Sequence, residues 1–292
     1  MEAGGLGPEP GGGRGLAPAL TTFVGRSAEV DEVAGLLGRY RLVTVTGPGG
    51  VGKTRLAAEV AARVAARFAD GIRLAELASI QDQAQVPAAV AAVLGVRQAP
   101  GAPVLELLAG VLSRQQVLLV LDNCEHVLDA VAHLCEAMLP LADDVRVLAT
   151  SREPIAVAGE ARYRLGPLAV PGIGPNEPGH CAAVELFADR ASRVDPGFAL
   201  DGTTGPVIGQ VVARLDGMPL AIELAAARVE ALGLGQLLDR LDDRFMLLTS
   251  SAARRPPGSD HWQPPWTGAT SCSATRKSRC SVGWPSSPAR SA

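Results

Sequence analysis

The stretch "GPGGVGKT" at residues 47–54 constrains this chain more than any other part of its sequence. It fits the pattern G-x-x-x-x-G-K-[ST], in which glycines let backbone N–H groups turn inward on an anion without a Cβ in the way. Lys53 is placed to reach the β- and γ-phosphates of a nucleoside triphosphate, and the Thr54 hydroxyl to ligate Mg²⁺. The stretch therefore predicts capture of a triphosphate tail. The plainer interpretation is a glycine-rich turn before a helix.

The surroundings of this stretch favour the phosphate-binding interpretation. An apolar run precedes it and a helical pattern follows it, which is the strand–loop–helix order that the motif requires. Apolar runs continue to alternate with helical patterns, which predicts a parallel sheet. The predicted strands are 41–46, 71–77, 117–122, 145–151 and 161–168, and the predicted helices around them are 28–38, 53–68, 86–95, 104–113 and 127–139.

A change of pattern near residue 170 predicts a second structural part. The Pro/Gly-rich stretch "VPGIGPNEPG" at 170–179 marks the boundary, and only helical patterns follow it, at 181–194, 206–215, 219–231 and 234–241. The predicted fold class is α/β, a P-loop NTPase parallel sheet flanked by helices and followed by a small all-α subdomain. We expect the nucleotide-binding domain at 21–168, the helical subdomain at 169–250, a disordered Gly/Pro-rich segment at 1–20 and a disordered tail at 251–292.

Composition excludes several classes of protein. Of the 292 residues, 47% are hydrophobic and 3% aromatic, and the net charge of −3 does not indicate nucleic-acid binding. No apolar run reaches the roughly 18 residues of a membrane span, and no signal peptide is evident. The five cysteines form no C-x-x-C pair, which indicates free thiols and a cytoplasmic protein. His126 and His133 have no metal-site partners in the sequence, and we interpret them as structural.

Four residues near the ends of predicted strands are candidates for the chemistry of the site. Asp122 ends the run "VLLVLD", where it would hold Mg²⁺ or merely cap a turn. Asn123 stands where many hydrolytic P-loop proteins carry a second acid, and an amide cannot accept a proton from water. Glu125 is a possible substitute. Arg152 follows the strand at 145–151 and would sense the γ-phosphate, or else it is an ordinary surface arginine.

Five motifs occur in one order over residues 21–248: "TTFVGRSAEVDEVAGLL", "VTGPGGVGKTRLA", "LLVLDNCEHV", "VLATSREPIAVAGE" and "LDGMPLAIELAAARV". Together they resemble the STAND-type ATPases, specifically the NB-ARC-like module of bacterial AfsR- and LuxR-type transcriptional regulators. The resemblance implies that Val24, Gly25 and Arg26 border the adenine, although Ser27 departs from the glutamate frequent there. It also implies that Gly217 and Pro219 lie against the nucleotide. Asp122 would take the Walker B role and Arg152 that of the phosphate sensor.

These observations predict an ATP/ADP-binding switch module of a signalling or transcriptional regulator, at most a slow Mg²⁺-dependent ATPase. The expected partners are nucleotide, a second copy of the chain or effector domains in trans; we expect no membrane contact and identify no DNA-binding element. The alternatives are a free-standing NTP-hydrolysing enzyme and a truncated relic without function. The predicted nucleotide-binding residues are Val24, Gly25, Arg26, Gly47, Gly49, Gly50, Val51, Gly52, Lys53, Thr54, Arg55 and Pro219; Lys53, Asp122 and Arg152 are the predicted catalytic residues, and Thr54 and Asp122 the metal ligands.

The sequence after about residue 254 has no period and contains all three tryptophans of the chain. In the family that the motifs resemble, a winged helix opening with a segment such as "TLRATIDWSYDLL" follows here. The codons permitted for "HWQPPWTGATSCS" at 261–273, read from the third base of each, allow "LAATVDWSYELL". We therefore interpret residues from about 258 onward as a frameshifted winged helix. Resequencing the gene tests this interpretation.

Overall fold

The computed structural model describes residues 21–96, 103–172 and 181–253, with side chains as far as residue 241. The chain divides into two units, Met1–Arg244 and Phe245–Ala292, and the candidate site lies in the first. Residues 251–253 of the tail predicted to be disordered at 251–292 belong to the last helix. The N-terminal segment 1–20, also predicted to be disordered, and residues 254–292 lie outside the described residues. Most of the predicted boundary stretch, at 173–179, also lies outside them.

The first part of the chain is a five-stranded parallel sheet with helices on both faces, which confirms the predicted α/β class. The strands are β1 (Leu42–Thr46), β2 (Ile72–Glu76), β3 (Leu118–Asp122), β4 (Arg146–Ser151) and β5 (Glu160–Arg164), in the spatial order β2-β3-β4-β1-β5. Every pair of neighbours is parallel. Strand β1 leads into the glycine-rich loop at 47–52, called the phosphate loop below, and β4 lies between β1 and β3. The carboxyl end of β4 is therefore placed between the loop and Asp122.

Alternate residues of the strands feed two separate cores, as the period of two in a pleated strand requires. Leu119 and Leu121 of β3 pack with α3 (Val86–Val93), α4 (Val104–Leu112) and α5 (Leu128–Met138). Leu118 and Val120 face the other way, toward α1 (Ser27–Arg39) and α2 (Lys53–Val64). Burial on both faces explains why the strand reads as an uninterrupted apolar run.

The second part of the chain is helical in its described residues. It consists of α6 (Ala182–Val194), α7 (Thr204–Arg214), α8 (Pro219–Ala226) and α9 (Val229–Ala253), and α9 is interrupted at Gly233, where φ is 71° and ψ 159°. A third core holds these helices together, with Phe187 at 0% exposure among its members. Within residues 21–96, 103–172 and 181–253, no helix combines the length and apolar character needed to cross a membrane.

The boundaries of the last two helices differ from the prediction. The sequence predicts one helix at 219–231, but α8 ends at Ala226 and α9 begins at Val229. Helix-favouring residues continue across the break, so local propensity gives no sign of it. Ala226 and Val229 are both buried in the third core, and packing on either side of the break sets the turn. The predicted helix at 234–241 is part of α9, which extends to Ala253.

Candidate nucleotide-binding site

The loop at residues 47–52 is shaped by glycines whose backbone excludes other side chains. Gly47 has a φ of 155°, and a Cβ there would lie 2.6 Å from the carbonyl oxygen of Leu165. Gly50 has a φ of 76°, and its Cβ would lie 3.0 Å from the Cβ of Leu220. Val51, the residue after Gly50, is fully buried. The loop is thus a backbone cradle that an added Cβ would fill, which is the form that phosphate binding requires.

Lys53 begins α2 and bends back over this loop. Its Nζ donates to the carbonyl oxygens of Gly47 at 2.9 Å and Pro48 at 3.1 Å. Burial lowers the pKa of Lys53; the charges of Glu125 and Asp122 work against that shift, and that of Arg152 adds to it. The loop carbonyls therefore hold the Lys53 ammonium group. To contact a phosphate, the ammonium group would have to give up at least one of these two hydrogen bonds.

Thr54 and Asp122 lie together, although 68 positions separate them in the sequence. The Thr54 hydroxyl donates to Asp122 Oδ1 at 2.8 Å, and the Thr150 hydroxyl donates to the same oxygen at 2.5 Å. Mg²⁺ takes oxygen ligands in an octahedron at 2.0–2.1 Å, which places adjacent ligands about 2.9 Å apart. The Thr54 and Asp122 oxygens fit an adjacent pair of this kind, and Thr150 orients the carboxylate as an outer-shell partner.

Arg152 lies beside the loop and pairs with Glu125. The Arg152 Nη2 is 3.5 Å from where a Cβ on Gly49 would be, so the guanidinium borders the loop. Its Nε donates to Glu125 Oε1 at 3.1 Å. The Glu125 side chain is 20% exposed, and its other carboxylate oxygen, Oε2, is buried with no hydrogen-bond partner in the described part of the chain. The site thus contains two carboxylates and two cations.

The turn after β3 positions Glu125. Asn123 has left-handed backbone angles, with φ 64° and ψ 54°, and its N–H donates to the Thr150 hydroxyl at 3.0 Å. Cys124 is fully buried, and His126 Nε2 lies 3.0 Å and 2.9 Å from two backbone carbonyl oxygens of the loop after β2. Both neighbours of Glu125 are therefore anchored in the protein, in keeping with the structural role predicted for His126.

The segment "FVGR" at 23–26 lies between the loop and the helical part. Gly25 has a φ of 68°, and a Cβ there would lie 2.7 Å from the Cβ of Ala182, the first residue of α6. Arg26 is 8% exposed and donates through Nη2 to the carbonyl oxygen of Gly166 at 2.8 Å. Burial lowers the pKa of its guanidinium. Val24 packs against the third core.

A narrow cleft lies next to this segment. Its walls combine apolar and charged residues: Phe23, Val24, Arg26, Arg55, Leu186 and Pro219. On one side Glu223 of α8 lies 3.6 Å from Arg55 Nη1 and accepts from Arg190 of α6 at 3.0 Å. Arg190 is 9% exposed. The Nε of Arg55 is buried and has no acceptor among the described residues, so this wall offers a ligand one unused donor.

Helix α8 touches the phosphate loop itself. The Leu220 N–H donates to the carbonyl oxygen of Gly50 at 3.2 Å, and the Leu220 side chain packs on the same glycine. Pro219 is the first residue of the helix, where proline has no N–H to leave unpaired. Gly217 packs on Leu168 instead, because a Cβ there would lie 2.2 Å from the Leu168 carbonyl oxygen.

The structure brings all of the predicted site residues to one region, at the carboxyl ends of β1, β3 and β4 and the adjoining face of α8. Their roles toward a ligand stay predictions. Sequence reasoning did not identify the contacts made by Thr150, Arg190, Leu220 and Glu223. Thr150 had a usable signal, because it lies near the carboxyl end of β4, the strand next to the one that Asp122 ends. The Arg190–Glu223 pair had none, since nothing local joins residues 33 positions apart.

No protein-family model matches the chain. A Mycobacterium tuberculosis protein described as uncharacterized is 43% identical to it over 233 residues, which are 80% of this chain and 57% of the relative. A second protein of that organism, named as a candidate HTH-type transcriptional regulator, is 45% identical over 213 residues, 73% of this chain and 23% of the relative. The chain therefore spans little more than half of the first relative and about a quarter of the second.

Solved structures show the fold. The Walker-type ATPase of Pyrococcus abyssi has a TM-score of 0.50 and 13% identity, over 82% of this chain and 78% of that chain. Drosophila ORC bound to DNA has a TM-score of 0.51 and 13% identity, over 82% and 70%. A STAND protein of Pyrococcus horikoshii, at a TM-score of 0.49 and 15% identity over 78% and 33%, is too distant to add to this. The chain thus has the fold of P-loop ATPases.

Proposed function

We propose that the chain carries an ATP/ADP-binding switch module of a STAND-type regulator, of the NB-ARC-like kind found in AfsR- and LuxR-type proteins. Five ordered sequence motifs support this, as does 45% identity to a protein named as a candidate transcriptional regulator. In this proposal the module acts in the cytoplasm and transmits its state to a second copy or to effector domains in trans. Hydrolysis is slow, and nucleotide identity carries the signal.

The contact between α8 and the phosphate loop is the observation that carries the proposal. A phosphate bound in the loop takes its N–H groups, while the Gly50 carbonyl is held by the N–H of Leu220. Gly50 also packs against the Leu220 side chain, so closely that a Cβ added to Gly50 would lie 3.0 Å from the Leu220 Cβ. A change in the backbone of the loop therefore reaches the helical part without an intermediate element. This is the coupling that a two-state switch needs.

The proposal gives each side chain a part in holding nucleotide. Lys53 and Arg152 contact the β- and γ-phosphates, and Thr54 and Asp122 hold Mg²⁺, which supplies positive charge between the phosphate oxygens. The narrow cleft beside "FVGR" widens to take the base and the ribose. Arg55 supports this placement, because its buried Nε lacks an acceptor that the nucleoside would supply.

The energy required is within reach of these groups. Moving an equilibrium from about 1:99 to 99:1 takes roughly 5.5 kcal/mol of differential binding. Hydrogen bonds to charged groups contribute about 1.5–3 kcal/mol each. Two or three bonds to the γ-phosphate, from Lys53, Arg152 and the loop, are enough, and ADP cannot make them.

Hydrogen exchange of the full chain with ATP and with ADP tests the proposal. We expect ATP or ADP to be retained on purification, and backbone protection in α6–α8 to differ between the two states. Leu220→Ala should reduce that difference, because it removes the Cγ and Cδ2 atoms that pack on Gly50. Leu224→Ala is the matched control, since it lies one turn further along α8 and is 58% exposed.

Identical protection of α6–α8 with ATP and ADP would rule out the switch and favour a free-standing enzyme. An absence of nucleotide binding would favour the truncated relic.

A further inference from the structure

Glu125 is a carboxylate beside the phosphate loop, and the proposed mode of nucleotide binding assigns it no role. Asp122 is held by two hydroxyl groups and fits a metal ligand. Asn123, at the position of the usual second acid, carries an amide that cannot take a proton. Glu125 lies 3.1 Å from Arg152, whose guanidinium borders the loop at Gly49, and this places Glu125 close to the phosphate end of the site. It therefore has the chemistry that Asn123 lacks.

The surroundings of Glu125 show a carboxylate that is held back. Its Oε1 accepts from Arg152, a residue that borders the loop at Gly49. Its Oε2 is buried without a partner within the described residues. An unpaired polar atom in such a position destabilises the protein, and more so when the group is charged. The present position of Glu125 is thus unfavourable for Oε2. Once Arg152 no longer holds Oε1, the carboxylate becomes more stable by turning to where both oxygens can accept hydrogen bonds.

We propose that Glu125 is the general base of ATP hydrolysis in this protein, held idle by Arg152 until a γ-phosphate draws the arginine away. The inference rests on the proposed function, because it requires ATP in the loop. Arg152 exchanges the Glu125 carboxylate for the γ-phosphate, which carries more negative charge. The freed carboxylate turns from its buried position and accepts a hydrogen bond from a water molecule beside the γ-phosphate.

The reaction balances with these groups alone. The water oxygen forms a bond to the γ-phosphorus while the bond from that phosphorus to the β,γ-bridging oxygen breaks. The electron pair of the broken bond stays on the terminal oxygen of ADP. The proton of the water passes to a Glu125 carboxylate oxygen and then to solvent, and inorganic phosphate leaves. Because Arg152 must first release Glu125, turnover is slow even though a base is present.

Single-turnover hydrolysis of ATP by Glu125→Gln, with calorimetric ATP affinity as the second measurement, tests the inference. We expect the rate to fall at least tenfold, since a positioned base contributes about 10²–10⁴-fold. We expect ATP affinity to stay within threefold of the parent or to become tighter, because a carboxylate that competes for Arg152 is gone. Glu153→Gln is the matched control: it makes the same change at an exposed neighbour of Arg152 and should alter neither quantity.

Three results would overturn the inference. The first is a Glu125→Gln rate within twofold of the parent. The second is an ATP affinity weakened more than threefold, which would make Glu125 a binding or structural residue. The third is a parent protein that binds ATP and does not hydrolyse it, which leaves the proposed switch standing. A parent that binds no ATP would instead contradict the proposed function itself, so the two failures are distinguishable.

Discussion

At the scale of single residues, the candidate site is a balanced set of charges around a backbone cradle. Lys53 and Arg152 face Glu125 and Asp122, and no net charge is left when all four are ionised. The lysine and the arginine are each held by groups of the protein itself, the loop carbonyls and Glu125. A triphosphate bound as we propose would have to compete with these internal partners, and this competition would favour ligands with a full phosphate tail.

Lys53→Ala should weaken ATP binding at least tenfold, or by about 1.4 kcal/mol. The substitution removes the one cation that the motif places at the β- and γ-phosphates. Calorimetry on the parent and the variant measures the change. Arg63→Ala is the control, because it removes a cation from the far end of the same helix, where Arg63 pairs with the exposed Asp31. Equal affinity of the parent and Lys53→Ala would mean that the loop does not bind phosphate.

The sequence predicts those residues whose chemistry requires a fixed type at a fixed spacing. The loop, Lys53 and Thr54 follow from one motif, and Asp122 from its place at the end of an apolar strand. The ion pairs follow from no such rule. Arg152 pairs with Glu125 across 27 positions because β3 and β4 are neighbours in the sheet. Such pairs depend on the register of the strands, which single-residue patterns do not encode.

At the scale of elements, the connection from β4 to β5 carries Arg152 and is tied down by Glu160. The Glu160 carboxylate accepts from the backbone N–H groups of Ile155 at 2.8 Å and Ala156 at 3.1 Å, and from Arg162 Nε at 2.8 Å. Its side chain is 1% exposed. Burial alone would raise the pKa of Glu160, but the hydrogen bonds outweigh it and hold the pKa below its ordinary value of 4.5.

Glu160→Gln should lower the free energy of unfolding by about 1–3 kcal/mol at pH 7, because an amide cannot accept all of these bonds. A carboxyl whose pKa is depressed by folding stabilises the protein above its unfolded pKa, and this contribution disappears as the pH falls through the folded pKa. The difference between parent and variant should therefore be constant above about pH 5 and shrink below pH 4.5. Urea unfolding at several pH values measures it, and a difference that persists unchanged at pH 3 would contradict the prediction.

Strand and helix identities were predictable here, and some boundaries were not. The three inner strands, β1, β3 and β4, are short and largely apolar runs buried on both faces, a pattern that between helices favours a strand of a parallel sheet. The break between α8 and α9 falls inside an alanine-rich run, where tertiary packing alone decides where a helix ends. The same packing puts Leu220 against Gly50, so the coupling of the helical part to the loop was equally hidden from the sequence.

At the scale of the whole molecule, we expect turnover of ATP well below the ~10 s⁻¹ typical of enzymes. Asn123 supplies no base, and Glu125 is engaged by Arg152 in the described structure. A steady-state assay of phosphate release by the purified chain measures the rate, with Lys53→Ala as the background. A rate at or above ~10 s⁻¹ would favour the free-standing enzyme over the switch.

Deleting residues 258–292 should leave ATP affinity within threefold of the parent. The loop, the metal-ligand pair, the Arg152–Glu125 pair and the cleft all use residues between Thr22 and Glu223. We expect the truncated chain to bind ATP through the same groups, so adding Lys53→Ala to the truncation should weaken binding at least tenfold, as in the full chain. Calorimetry on both truncated proteins measures this. A loss beyond threefold on truncation alone, or strong amide protection across 258–292 in the full chain, would show that this segment is a working part of the protein and would contradict the frameshift interpretation.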